Sequence, residues 1–455
     1  MPLKSFSELD ILLGMECYAT SSPPIPGIIR LKLDDFQVFE VDERGITVRR
    51  YDMLRQFYSN MAGLYSLFLL EKKGLSHYEA VRIICNLLNV DSRSLSFSGI
   101  KDTRAHTWQL FSVRGYRKEW NNFDKLLCFS KERFLRVSFI SRYPWRLYPG
   151  CNKGNLFHVV IRRIPSSSCI VSLSKILSEL RELGGIPNFY GYQRFGTIRP
   201  NTHIIGKYVL LGNYKSATKE ILTSIYPYES EIAKKARAYL KATWDLRGAL
   251  RIFPKSLSYE RLILNYLIKH PNKYERCFCV LPKWLRGMFI EAYQSYLFNR
   301  ILSKRLLLGI SLKDVIDGDL VYLTHKDAII TATSSNISYL QKLVDLERGV
   351  ICQRIIGFDY KFHNSFIGEI EREILEEEGI SPSHFYSISR FFPRLRGGYR
   401  KITQYDFRIK ITTLLDDAFP SFIKAKLEFF LEKGFYATSF LREIIKSGNP
   451  IKSGF

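Results

Sequence analysis

The hydrophobic period changes between residues 76 and 115, and that change constrains the chain more than any other feature. "SHYEAVRIICNLLNV" (76–90) sets Ser76 and Glu79 at capping-box spacing and places apolar residues at 80, 81, 83, 84, 87 and 88, which predicts a helix with one apolar face. "LSFSGI" (95–100) and "TWQLFSVRG" (107–115) are short and apolar-rich and read as strands. The residues between them, "KDTRAH", therefore connect strand to strand, and they carry the acid Asp102 between Lys101 and Arg104. A chain that mixes periods in this way folds as α+β, and its chemistry tends to sit on loops held by rigid elements.

The same mixture runs on to about residue 184. "TSSPPIPGIIR" (20–30) is an extended loop that delivers the chain into "LKLDDFQVFEVD" (31–42), where Phe36, Val38 and Glu40 alternate as in a strand. "NLFHVVIRRI" (155–164) is a further strand, followed by a loop and a helix near 171–183. Past 184 the Gly/Pro-containing "GGIPNFYGYQRFGTIRPN" precedes several helical stretches, of which 284–306 is the longest; 369–380 is a short amphipathic helix ended by Gly379. The last fifty residues return to strand-helix patterning over 426–446. With roughly 150 residues per domain as a prior, 455 residues predict two domains, the second beginning near 184.

Charge narrows the partner. Lys and Arg number 68 against 44 Asp and Glu, a formal +24, which attracts polyanions and points to nucleic acid; a surplus that merely keeps the chain soluble is the plain alternative. The eight cysteines are scattered without a CxxC pair, and no His/Asp/Glu spacing resembles a metal site. GxGxxG and Walker loops are also missing, so nucleotide-cofactor chemistry is not expected. No apolar run approaches the roughly 18 residues of a membrane span, which predicts a cytoplasmic protein with reduced thiols and no membrane partner.

Three stretches carry candidate chemistry. Asp102 is either an Asx-turn residue or a carboxylate kept charged, and so nucleophilic, by its cationic neighbours. "GYQRFG" (191–196) offers Gln193 and Arg194 to a phosphate or ribose, or is an ordinary loop over a buried Phe195. "RFFPRLRGGYRK" (390–401) mixes Arg390, Arg394, Arg396 and Arg400 with aromatic rings, a combination that grips phosphates and stacks bases, or forms a solvated basic loop. His106 has no Ser or Cys nucleophile paired with it and reads as structural.

Taken together these stretches resemble the TruD family of tRNA pseudouridine synthases. Gly99, Lys101, Asp102, Ala105, Thr107 and Gln109 meet the family's G-L-K-D-x-x-A-x-T-x-Q signature, with Ile100 in place of leucine. "DDFQVFE" (34–40), "KGNLF" (153–157), "PNFYGYQRFG" (187–196) and "GFYATSFLREII" (434–445) resemble further family blocks in the family's order. The length and the short N-terminal segment look like the archaeal branch.

The resemblance implies an isomerase that converts uridine to pseudouridine in tRNA, most often uridine 13, without a cofactor, and a monomer. It puts the catalytic aspartate on Asp102, and its cationic partner, a lysine in the family, on Arg30, which keeps the charge and has a fork able to hold both carboxylate oxygens. Phe36, Asn155 and Phe157 match residues that line the pocket of the target base, with Lys101 beside them. An RNA-binding or chaperone protein on the same fold is the rival reading, as is a synthase acting on another site such as the anticodon of tRNA-Tyr. The implied architecture is a catalytic domain with a mainly antiparallel sheet, from 1–185 and 403–455, and an inserted TruD-specific α/β domain, 186–402.

Overall fold

Side-chain alternation lays down the strands of one unit of the computed structural model, which describes residues 2–59, 61–388 and 395–455. This unit comprises Pro23–Lys175, Asp406–Ala437 and Pro450–Phe455. Its strands are β1 (Phe36–Val41), β2 (Tyr65–Lys73), β3 (Leu95–Phe97), β4 (His106–Arg114), β5 (Asp124–Ser130), β6 (Arg133–Tyr143), β7 (Gly154–Ile164), β8 (Ile409–Leu415) and β9 (Ile423–Glu432). They form a single sheet in the order β8-β9-β7-β1-β4-β2-β6-β5, with β3 paired to β4.

One pairing in this sheet is parallel. β1 runs alongside β4 with Gln37 opposite His106 and Phe39 opposite Trp108, while the other pairings are antiparallel. Parallel neighbours begin at the same edge of a sheet. The loop that leads into β1 and the loop that leads into β4 therefore meet, although they are far apart in the chain.

Residues opposite one another across a pairing share a face. Phe36, Val38 and Glu40 of β1 thus lie with Asn155 and Phe157 of β7, Thr107 and Gln109 of β4, and Leu70 and Lys72 of β2. Helix α1 (His77–Leu88) covers part of that face, burying Ala80, Ile84 and Leu88 with Phe68, Leu70, Phe111, Leu135 and Val137. Each large apolar side chain buried here contributes about 2 kcal/mol. The expected capping box is formed: the Glu79 amide donates to Ser76 Oγ at 3.2 Å, and the Ser76 amide to Glu79 Oε2 at 2.8 Å. On the other face, Leu54 and Tyr58 of the helix Tyr51–Tyr58 pack with Leu67, Leu69, Leu110 and Ile140.

The second unit, Met1–Ser22, Ile176–Tyr405 and Thr438–Asn449, is mainly helical. Its 25-residue helix, Lys283–Leu307, buries Phe289, Ile290, Tyr293, Leu297 and Ile301 in a core shared with Ile205, Val209, Leu264, Ile370 and Ile374. An antiparallel sheet carries strands Ala328–Thr331, Leu320–Leu323, Gly349–Ile355 and Gly398–Lys401 in that order. Gly379, at φ +63°, follows the helix Phe366–Glu377 as its left-handed stop.

Two stretches distant in the chain, residues 1–22 and 438–449, cluster with 176–405 in this second unit. The physical tie is a buried network: Arg442 Nε donates to Asp10 Oδ2 at 2.7 Å, and Asn299 Nδ2 to the Leu13 carbonyl at 2.9 Å. Long-range polar contacts of this kind leave no periodic trace in the chain. Among the described residues, no helix is long and apolar enough to cross a membrane.

Candidate active site

Arg30 and Asp102 stand at the shared edge where β1 and β4 begin. Arg30 Nη2 lies 2.9 Å from Asp102 Oδ2, with the arginine side chain 4% exposed and the aspartate 26%. The guanidinium rests on the Phe36 ring, its central carbon 4.0 Å from the ring centroid. Burial draws the Arg30 pKa down while Asp102 pushes it back up; a guanidinium remains charged under both influences. The fork does not embrace both carboxylate oxygens: one hydrogen bond joins the pair, and Asp102 Oδ1 has no hydrogen-bond partner among the described residues. Arg30 itself adopts a left-handed backbone, φ +57°, a conformation that a non-glycine residue holds only when its surroundings demand it.

Lys101 points away from this pair. Its ammonium lies 2.9 Å from Glu40 Oε2 and donates to Asn155 Oδ1 at 2.7 Å, and both Lys101 and Glu40 are buried. Glu40 also accepts from Ser98 Oγ and from the Leu110 amide. Loop 98–105 is thus anchored to the β1 face at Glu40 and held at Arg30 by Asp102. Arg104, the other adjacent cation, is exposed and donates to the Arg30 carbonyl at 3.4 Å. Because an ammonium only donates, Lys101 fixes the Asn155 amide with its oxygen inward and its Nδ2 without a partner among the described residues.

The expected aromatic residues are close neighbours. Phe36 and Phe157 meet edge to face at 6.0 Å, and Phe157 stacks on Phe429 at 5.5 Å. Both Phe36 and Phe157 are buried, and one side of Phe36 is taken by Arg30. His106 is structural in its setting: its ring nitrogens contact Asp34 Oδ1 at 3.0 Å and Glu71 Oε1 at 2.9 Å, and the ring stacks on Trp108.

Two residues of the site escaped sequence reasoning. Glu40 sits in the quoted strand block, but its pairing with Lys101 spans the sheet and has no local signal. Lys72 holds the backbone of the Asp102 loop from β2, and here a signal existed: a lysine in phase with Phe68 and Leu70 on the buried side of a strand.

The remaining candidates belong to the other unit. Gln193 is exposed; Arg194 pairs with Glu291 at 3.1 Å and donates to Ser295 Oγ at 3.0 Å. Arg396 is exposed, whereas Arg400 packs over the Tyr190 ring at 4.1 Å and bonds Asn188. Arg390 and Arg394 lie outside the described residues.

A family model described as tRNA pseudouridine synthase D (TruD) matches residues 12–444. The chain belongs to the TruD family. It is 32% identical over 453 residues to a Methanosarcina mazei protein described as "Probable tRNA pseudouridine synthase D", a match covering 98% of this chain and 99% of the relative. A Methanopyrus kandleri relative with the same description is 37% identical over 413 residues, 90% of this chain and 92% of the relative. The crystal structure described as TruD from Methanosarcina mazei superposes with a TM-score of 0.80 at 30% identity, covering 98% of this chain and 99% of the other.

TruD membership makes the chain an isomerase of the pseudouridine synthase class, on the mixed α+β fold that its sequence predicts. Its relatives named above are archaeal, in line with the branch that its length resembled.

Proposed function

We propose that this chain isomerises a uridine of tRNA to pseudouridine, with Asp102 acting at the sugar and Arg30 holding it in place. The observation that carries the reading is the division of labour within one carboxylate: Oδ2 is held by a buried guanidinium while Oδ1 is unengaged on a partly exposed side chain. The reaction breaks the bond from uracil N1 to the sugar, turns the base, and joins C5 to the same sugar carbon, after which C5 loses its proton to solvent and N1 takes one up. A carboxylate serves this as a nucleophile at the sugar carbon or as a charge that stabilises that centre while the base departs. Fixing one oxygen with Arg30 aims the other, and orientation of that kind is worth orders of magnitude in rate.

The base would have to leave its stack to reach Asp102. Asn155, with its Nδ2 turned outward by Lys101, is placed to donate to a uracil oxygen, and Phe36 and Phe157 shape the apolar wall beside it. In this reading Lys101 acts on substrate through Asn155, since its own charge is spent on Glu40. Exposed Gln193 and Arg396 are candidate contacts to the tRNA backbone, and uridine 13 is the target we favour.

Tritium release from tRNA labelled at uridine C5 tests the assignment. Asp102→Asn is expected to abolish release while tRNA affinity stays near wild type; substantial turnover in this variant would overturn the role of Asp102. Sequencing-based mapping on tRNA with uridine 13 replaced by cytidine checks the position, and pseudouridine formed elsewhere in that RNA would redirect the substrate.

A further inference from the structure

Lys72 is a buried ammonium with no carboxylate in ion-pair contact among the described residues. It lies at the end of β2, 0% exposed, on the same face as Phe68 and Leu70. Its Nζ donates to the Asp102 carbonyl at 2.7 Å, the Leu75 carbonyl at 2.9 Å and the Lys101 carbonyl at 3.4 Å. An ammonium has three N–H donors, and here all three are committed to backbone oxygens. Two of those oxygens belong to the loop that presents Asp102, and the third to the turn before α1. An unpaired buried charge is expensive, so a fold that retains one gains something specific from it.

We infer that Lys72 is a positioning residue that clamps the backbone of the Asp102 loop, and that loss of its proton sets the alkaline limit of turnover. The inference rests on the proposed catalytic role of Asp102. A neutral amine has two N–H donors and a lone pair. One of the three carbonyls would then face a lone pair instead of a donor; the contact to Lys101, at 3.4 Å, is the longest of the three, and giving it up loosens the loop next to Asp102. Misplacing a catalytic group by about 1 Å costs on the order of a hundredfold in rate.

The groups that face Lys72 agree with a proton lost more readily than from an ordinary lysine. Burial is the main influence, and with Lys101 it draws the Lys72 pKa down to about 8 against the support of Asp102 and Glu79. From α1 the other titratable neighbour is His77, whose protonation is opposed first by burial and then by Lys72. The residues opposite Lys72 on the flanking strands, Thr107 of β4 and Leu135 of β6, carry no charge.

The test follows single-turnover tritium release against pH for the full chain, with tRNA affinity and melting temperature measured alongside. The wild-type rate is expected to fall above about pH 8. Lys72→Met should be roughly a hundredfold slower at neutral pH, with no further fall across that range and with unchanged affinity. Lys72→Arg, which keeps its charge, should recover part of the rate and move the fall to higher pH. An alkaline limb that stays at the wild-type position in Lys72→Arg overturns Lys72 as the source of that limit, and that variant alone decides should Lys72→Met not fold. Retained turnover in Asp102→Asn would sink the catalytic reading instead, so the two failures are distinguishable.

Discussion

Arg30 reaches Asp102 across seventy-two residues because β1 and β4 run parallel, whereas the cations next to Asp102 in the chain are spent elsewhere. Lys101 neutralises Glu40, and Arg104 bonds a carbonyl. Charge near Asp102 was legible in the sequence, but the identity of its partner came only through resemblance, since long-range pairing has no local period. Arg30 combines a plane that fits the Phe36 ring with a charge that meets one carboxylate oxygen. Arg30→Ala should therefore slow single-turnover chemistry about a hundredfold while leaving tRNA affinity nearly unchanged. Arg30→Lys, which keeps the charge and loses the plane, should retain an intermediate rate. Weaker, salt-sensitive tRNA binding with intact chemistry in Arg30→Ala would instead assign Arg30 to electrostatic docking.

At the scale of elements, local patterns performed well and contacts between elements did not. The expected helix 76–90 is found at His77–Leu88, and the strand expected at 155–164 is Gly154–Ile164. β2, β5 and β6 were not read from the sequence, although β2 supplies the buried lysine of the site. Gly154, quoted as part of the "KGNLF" block, shows why a motif outruns its local meaning. A Cβ at this position would stand 2.1 Å from the Leu431 carbonyl oxygen and 2.7 Å from the Phe430 ring, so the glycine exists to let β9 approach β7. Gly154→Ala should then cost about 2 kcal/mol, the scale of an overpacked site. Because Asn155 is the next residue, the same variant should slow turnover beyond what the lost stability explains, which rates measured well below the melting transition would show. An alanine that left both stability and rate at wild-type values would mean that β9 yields freely there.

At the scale of the molecule, the chain divides into two compact units, and Arg442 and Asp10 tie residues near both chain ends into the helical one. Every described candidate for catalysis and base binding lies in the unit of the nine-stranded sheet. That unit is closed by one arginine: Arg162 of β7 bonds Asp35 just before β1, Asp416 just after β8, and Asp417. None of these long-range ties was visible in the sequence, where the aspartates are only a "DD" before each of two different elements.

The electrostatics of this closure give a pH signature. Burial by itself would raise the Asp416 pKa, but the amides of Arg163 and Ala418, each at 2.9 Å, and the Arg162 guanidinium outweigh it and hold the carboxyl below its ordinary value of 3.8. A carboxylate depressed in the folded state contributes stability that is complete above the unfolded pKa and is lost as pH falls through the folded one. Asp416→Asn should therefore destabilise the protein by about 3 kcal/mol at pH 7, as for a buried pair robbed of one partner. The gap to wild type should narrow once the pH drops below about 4, where the wild-type carboxyl begins to lose its charge as well. Urea unfolding at pH 7 and pH 3 measures both gaps, and a gap of equal size at the two values would mean that Asp416 contributes through packing and not through its charge.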